Sequence, residues 1–263
     1  METYTWQVKN LKAAKPEENT LPWQMQQKIA FATNSFEYYG LPGSFDNWQN
    51  FGKWINGLNA DVNALSPARV DEVKKMTDTI KTDKEKVRFL YNYLQKNVRY
   101  VSVQLGIGGL KPFPATFVDQ KKYGDCKALS NYMIALLKEA GITGKYVEIY
   151  GGDSPPSFVE DFSFSQFNHV IVCVPLHQDT VWLECTSQTV SPGYMGSFTG
   201  NRNALLIDET GGHIIRTPVY TINDNVKLRK VVAITDDQGN LKAEIFNTYT
   251  GLQQDVNHPL MYE

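Results

Sequence analysis

The chain has 263 residues, 42% of them hydrophobic, enough to bury a substantial core without disulfide staples. With 26 Lys and Arg against 28 Asp and Glu, its net charge of -2 provides no basic field for a nucleic-acid backbone or an anionic membrane. Three cysteines, Cys126, Cys173 and Cys185, form no C-x-x-C pair and exclude a disulfide framework, and no stretch approaches the roughly 20 apolar residues needed to cross a bilayer.

Thr3 to Val8 reads as a strand, and the text to about Ser66 is aromatic and loop-rich, with Pro16, Pro22, Gly40, Pro42 and Gly43 as punctuation. Residues 1–66 are therefore expected to be the end of a β domain and a linker. A helix is predicted from Ser66 as N-cap with Pro67 at its first position, carrying Val70, Val73, Met76 and Ile80 at helical spacing. A second runs from about Thr82 to Asn97, with Val87, Leu90, Tyr91, Leu94 and Val98 as one stripe, and passes into a strand-like run from Arg99 to Gln104. The following LGIGGLKPFPATFVDQKKYGD is expected to be a long functional loop without regular structure.

The clearest helix spans Asp125 to Ala140, turning Cys126, Leu129, Met133, Leu136 and Leu137 inward, with Gly141 as terminator. Beyond it the pattern is β: Lys145–Tyr150, Phe167–Pro175, Val181–Thr186, Ala204–Asp208, Ile214–Thr217, Lys230–Thr235 and Leu241–Thr248. Several of these pair as hairpins, closed for example by ETGG and DQGN. The last hairpin has few remaining partners, so residues 221–263 are expected to begin a further β domain and 67–220 to form the core between.

A thiol in the first turn of a buried helix meets unpaired backbone N–H groups and the positive end of the helix dipole, which favour a thiolate. Cys126 occupies that place, although a buried free cysteine is more often a small core hydrophobe. His169 and Glu184 flank the turn LHQDT. A hairpin centred on Leu176–His177 sets them opposite each other; one centred between His177 and Gln178 sets His169 opposite Thr186, with Glu184 two residues along on the same face. Either register brings imidazole and carboxylate together. Cys173 and Cys185 fall on opposite faces, which argues against a disulfide between them. His177, His213 and His258 have no metal-ligand spacing, so no metal and no cofactor are expected.

YGDCKALSNYMIALLKEAGI, FNHVIVCVPL and VWLECTS together resemble the three motifs of the transglutaminase-like superfamily, in the order Cys, His, acid, over about Asp83 to Ser187. The resemblance is closest to bacterial multidomain proteins in which this core lies between β domains. It implies an α+β, papain-like fold, with a helical part carrying the nucleophile packed on an antiparallel sheet or barrel, flanked by partial β segments. It also implies Cys126 as nucleophile, His169 as base and Glu184 as orienter, though the family usually has Asp where this chain has Glu184.

Such a triad forms a thioester acyl-enzyme, with the Cys126 backbone N–H as one oxyanion donor and Gln104 as candidate for another. Asp125 and Lys127 are read as N-cap and local charge tuning. Hydrolysis of a peptide or cell-wall-like amide is the expected reaction. Acyl transfer to an amine and a non-catalytic peptide- or glycan-binding module are the alternatives. Groove elements are sought in Gly106–Tyr123, in GGDSPPSFVEDFSFSQ and in Ser191–Phe198. The resemblance further implies a periplasmic or cell-surface location; the chain itself carries no signal for it, and the sequence leaves the oligomeric state open.

Overall fold

A computed structural model describes residues 3–13, 15, 17–18, 20 and 28–261. Residues 1–31 form one unit and residues 32–263 another. In the first, Thr3–Val8 is irregular rather than a strand, because no described segment pairs with it and a lone strand has no ladder to hold it. Trp6 instead meets Phe31 edge to face, with ring centroids 4.9 Å apart.

The second unit opens with more regular structure than its sequence predicts. A short hairpin, β1 (Ser35–Tyr38) and β2 (Leu41–Ser44), leads into helix α1 (Trp48–Asn59). The loop expectation, drawn from the glycine and proline punctuation before it, overlooked this helix. Asn47 caps it by accepting from the Asn50 N–H at 2.8 Å, and Phe51, Trp54, Ile55 and Leu58 make a buried stripe. Gly52 is required: a Cβ there would stand 2.0 Å from the Gly212 backbone nitrogen.

Helices α2 (Pro67–Thr77) and α3 (Asp83–Asn97) follow as predicted. Ser66 caps the first, which ends before Ile80, and Thr82 with Glu85 forms a full capping box on the second. The Arg99–Gln104 strand contracts to β3 (Arg99–Tyr100), which pairs in parallel with β4 (Tyr123–Gly124). The segment expected to be irregular between them holds a 3-10 turn at Gly106–Gly109 and helix α4 (Ala115–Lys121). Its glycines and prolines only bound these pieces: Pro114 precedes the helix and Lys122, at φ 60°, stops it.

Helix α5 (Cys126–Glu139) is the hub of the fold, capped by Asp125 and terminated beside Gly141 at φ +79°. It is buried almost all round: α2, α3 and α4 pack on it, and its inner side meets Val172, Val174, Val181 and Leu183 of the sheet. That sheet is antiparallel throughout, in the order β7 (Asp179–Leu183), β6 (His169–Leu176), β5 (Lys145–Ile149), β8 (Asn203–Asp208), β9 (Gly211–Arg216). Helix α1 covers the β8 and β9 end through Leu205 and Ile207. On the opposite face Ile171, Cys173, Trp182 and Met195 make a separate apolar layer. A last hairpin, β10 (Lys227–Thr235) with β11 (Leu241–Tyr249), forms its own two-stranded sheet and is exposed along nearly its whole length.

Candidate active site

The β6–β7 register pairs Cys173 with Trp182 and Leu176 with Asp179, so the two-residue turn is His177–Gln178. This is the second of the two registers open to the sequence. Continued beyond the ladder it sets His169 opposite Thr186, with Glu184 two residues away on the same face. The strand stops at Leu183, so Glu184 lies just past its end rather than within it. Cys173 and Cys185 enter different apolar clusters, and all three cysteines are free.

His169 and Glu184 meet directly. Nε2 of the imidazole lies 2.9 and 3.0 Å from the two carboxylate oxygens. The Cys126 thiol acts on the same imidazole, favouring its protonated form. With Nε2 taken by the carboxylate, Nδ1 is the nitrogen left for the sulfur. All three side chains are buried, at 2% for Cys126, 9% for His169 and 5% for Glu184. Burial alone would lower the pKa of His169, but the Glu184 carboxylate and the Cys126 thiol outweigh it and raise the value. For Glu184 burial raises the pKa, yet the imidazole and Thr186 bring it below the ordinary carboxylate value. The pair therefore favours carboxylate and imidazolium together.

The carboxylate is held from several sides. The Thr186 hydroxyl donates to Oε1 at 2.5 Å and the Thr186 N–H to the same oxygen at 3.2 Å. Tyr91 of α3 donates its hydroxyl to the Glu184 carbonyl at 2.8 Å in a fully buried contact. Gln95, one turn on, donates to the carbonyls of Ser187 and Val190 and pins the loop after Glu184. The histidine is braced as well. Asn168 exchanges two hydrogen bonds with Gly151, at 2.7 and 3.1 Å, and the Phe198 ring stands edge-on to the imidazole at 5.1 Å.

Sequence reasoning gave Tyr91, Gln95 and Thr186 no role at the site, and Phe198 only a place in a groove segment. Thr186 carried a signal in the register that set it opposite His169, and Tyr91 in a hydroxyl that must find a partner within a buried stripe.

At the nucleophile, Asp125 accepts from the Ala128 N–H at 3.0 Å and also from the Lys127 ammonium in a short buried contact. Cys126 is the first helical residue, so its own N–H has no acceptor within the helix. The sulfur borders a cavity of about 280 Å³ whose lining includes Gln104, Lys127, Glu148, Phe167 and His169. Gln104 sits on the loop after β3 and shares this cavity with Cys126, but not as part of a strand. Of the expected groove segments, the first contributes Gly109 and Leu110 and the second Ser165. The third lines a different hollow of about 600 Å³ behind Glu184, with Asp153, Tyr194, Ser197, Phe198 and Asp255. Among the described residues no group of three or more His, Cys, Asp or Glu is placed to hold a metal ion, and no helix is long and apolar enough to cross a membrane.

Residues 71–187 match the profile of the transglutaminase-like superfamily. The fold is similar to that of a candidate protease from Parabacteroides distasonis, with a TM-score of 0.52 at 12% identity over 82% of this chain. This chain covers 43% of that protein's length. A candidate cysteine protease from Cytophaga hutchinsonii aligns over 70% of this chain and 51% of its own, at 15% identity and a TM-score of 0.36. No curated protein matches the sequence. The α+β, transglutaminase-like fold expected from the three motifs is the fold observed.

Proposed function

We propose, from a chain whose residues 71–187 carry the transglutaminase-like match, that this protein is a cysteine hydrolase, a peptidase or amidase, with residues 67–220 as its catalytic core. One observation carries the proposal: a single buried imidazole is hydrogen-bonded to a carboxylate and lines one cavity with a helix-terminal thiol that favours its protonated form. A core histidine is satisfied by neutral partners for its one donor and one acceptor nitrogen. Two partners that stabilise its cationic form, one of them a thiol at a helix N-terminus, make an activated nucleophile.

The Cys126 thiolate, its proton held on His169, attacks the carbonyl carbon of an amide. The developing oxyanion is met by the Cys126 N–H and, we propose, by Gln104. Collapse breaks the C–N bond as the imidazolium passes its proton to the leaving amine, which leaves a thioester. Water then attacks the thioester carbonyl and returns a proton to His169. The acid departs and the thiolate–imidazolium pair is restored. Glu184 stays ionised, fixes the imidazole orientation and stabilises its charge. Hydrolysis of a peptide-like amide accords with the candidate protease from Parabacteroides distasonis, whose fold this chain's is similar to.

Alkylation of Cys126 by iodoacetamide, followed by intact-protein mass spectrometry across pH, tests the pairing. Wild type is expected to react well below the pH at which an ordinary thiol does, about 8.5, and His169→Ala only near it. Identical pH profiles for the two proteins would overturn the proposal.

A further inference from the structure

The triad leaves one ionisable group in its cavity unused. Side chains alternate along β5, so Val147 and Ile149 enter the far apolar layer while Tyr146 and Glu148 face the side of Cys126. Glu148 is in register with Val170 on one side and Leu205 on the other, both members of the apolar cluster that includes Cys126. Its chain neighbour Ile149 is the register partner of His169. Glu148 therefore sits on the central strand of the sheet, one residue from the register partner of His169, and lines the same cavity as the nucleophile.

Among the described residues nothing donates a hydrogen bond to it. The nearest cation, Lys127, acts on it through space and has its ammonium committed to Asp125. Glu148 is half-buried, so its carboxylate is open to the cavity it lines rather than sealed in the core. Its place at the cavity wall accounts for it as a group kept for a ligand.

We infer that Glu148 is a specificity-determining residue that receives a positively charged group, an ammonium or guanidinium, borne by the acyl-donor substrate close to its scissile carbonyl. The inference deepens the hydrolase reading and rests on it for the identity of the ligand as substrate. Crowding by protein raises the carboxyl's pKa to about 7, with Lys127 only partly opposing, so an entering cation would also supply the counter-charge this site lacks.

The test uses two thiol reagents with the same reactive group and ethyl spacer and opposite head-group charge, 2-ammonioethyl and 2-sulfonatoethyl methanethiosulfonate. Their rates of labelling at Cys126 are taken as a ratio in wild type, Glu148→Gln and Glu148→Asp, with Cys126→Ser giving the background from Cys173 and Cys185. Both reagents consume the same thiolate, so its titration cancels in the ratio. Wild type is expected to favour the cation about tenfold or more, and Glu148→Gln to lose about tenfold of that preference while Glu148→Asp keeps most of it.

In wild type the preference should grow as pH rises through about 7, and in Glu148→Gln it should stay flat. The other charged groups facing the site are Lys127 and Asp125 from α5, His169 from β6 and Tyr146 from β5. Lys127 and Asp125 neutralise each other, while His169 and Tyr146 titrate at higher pH because their values are raised. An unchanged ratio in Glu148→Gln, or an equal loss in Glu148→Asp, overturns the inference. Labelling needs only an accessible thiol. A protein that hydrolyses nothing yet shows the charge preference would thus refute the hydrolase proposal and leave the cation site standing.

Discussion

Replacing Glu184 by Gln changes no shape and removes one charge, yet the contacts around it make the effect directional. Thr186 donates twice to Oε1, through its hydroxyl at 2.5 Å and its N–H at 3.2 Å, so a glutamine must turn its carbonyl oxygen to that position. The amide NH2 then faces Nε2 of His169, where a carboxylate oxygen stood at 2.9 Å. The carbonyl oxygen, 3.0 Å from Nε2, remains an acceptor, but the NH2 at the closer position opposes an Nε2–H and favours the tautomer with its proton on Nδ1, toward Cys126. In that state it cannot take the thiol proton.

A charge-assisted hydrogen bond is worth about 1.5–3 kcal/mol in its own right, about one to two decades in rate. The wrong tautomer adds to this, and a combined loss of about a hundredfold or more in Cys126 acylation is expected. Glu184→Ala forces no tautomer and should retain more reactivity than Glu184→Gln. The assay is the carboxamidomethylation rate of Cys126 near neutral pH, with thermal unfolding to confirm that both variants fold. A Glu184→Gln rate within about twofold of wild type, or above that of Glu184→Ala, would refute the orienting role.

Asp125→Ala removes the cap of α5 and strands the buried ammonium of Lys127, so a loss of about 3–5 kcal/mol is expected in urea unfolding, and a double variant with Lys127→Met should recover much of it. Tyr91→Phe leaves the Glu184 carbonyl without its donor and should cost about 1–2 kcal/mol by the same measurement, with slower Cys126 alkylation because the carboxylate loses a brace. Gly52→Ala would press a methyl group to within 2.0 Å of the Gly212 nitrogen, so its melting temperature should fall by several degrees or more; an unchanged value would mean that α1 does not pack on β9 as described.

The pH dependence follows from the signs. The lowered Glu184 contributes stability present above its ordinary 4.5 and lost as pH falls through the folded value. The raised His169 contributes stability present below its ordinary 6.5 and lost as pH climbs through the folded value. The difference in stability between wild type and Glu184→Ala should therefore be greatest between pH 4.5 and 6.5, and a difference flat with pH would contradict the ion pair.

Much of the site was legible because local chemistry governs it. Cys126 at a helix start follows from Asp125 as cap and the apolar spacing behind it, and a residue's face on a hairpin follows from parity. The turn LHQDT left two registers, and only cross-strand packing chose between them. The glycine and proline punctuation before α1 and α4 hid both helices, because what holds them is distant: Gly52 of α1 packs on a strand about 160 residues on. The opposite error at Thr3–Val8 has the same origin, since alternation supplies a strand's faces but not its neighbour.

By itself the sequence determined which residues could form the triad, the chain order of their elements and the faces on which His169 and Glu184 lie, because periods of two and 3.6 are properties of the backbone alone. The tertiary structure decided the rest. It set Cys126 against His169, from elements 43 residues apart, and brought Tyr91, Gln95 and Thr186 around Glu184. It also placed Glu148 in the lining of that cavity, where none of the described residues donates a hydrogen bond to it. Such contacts depend on how helices and sheet pack, and packing is decided by the whole core at once rather than by any one segment.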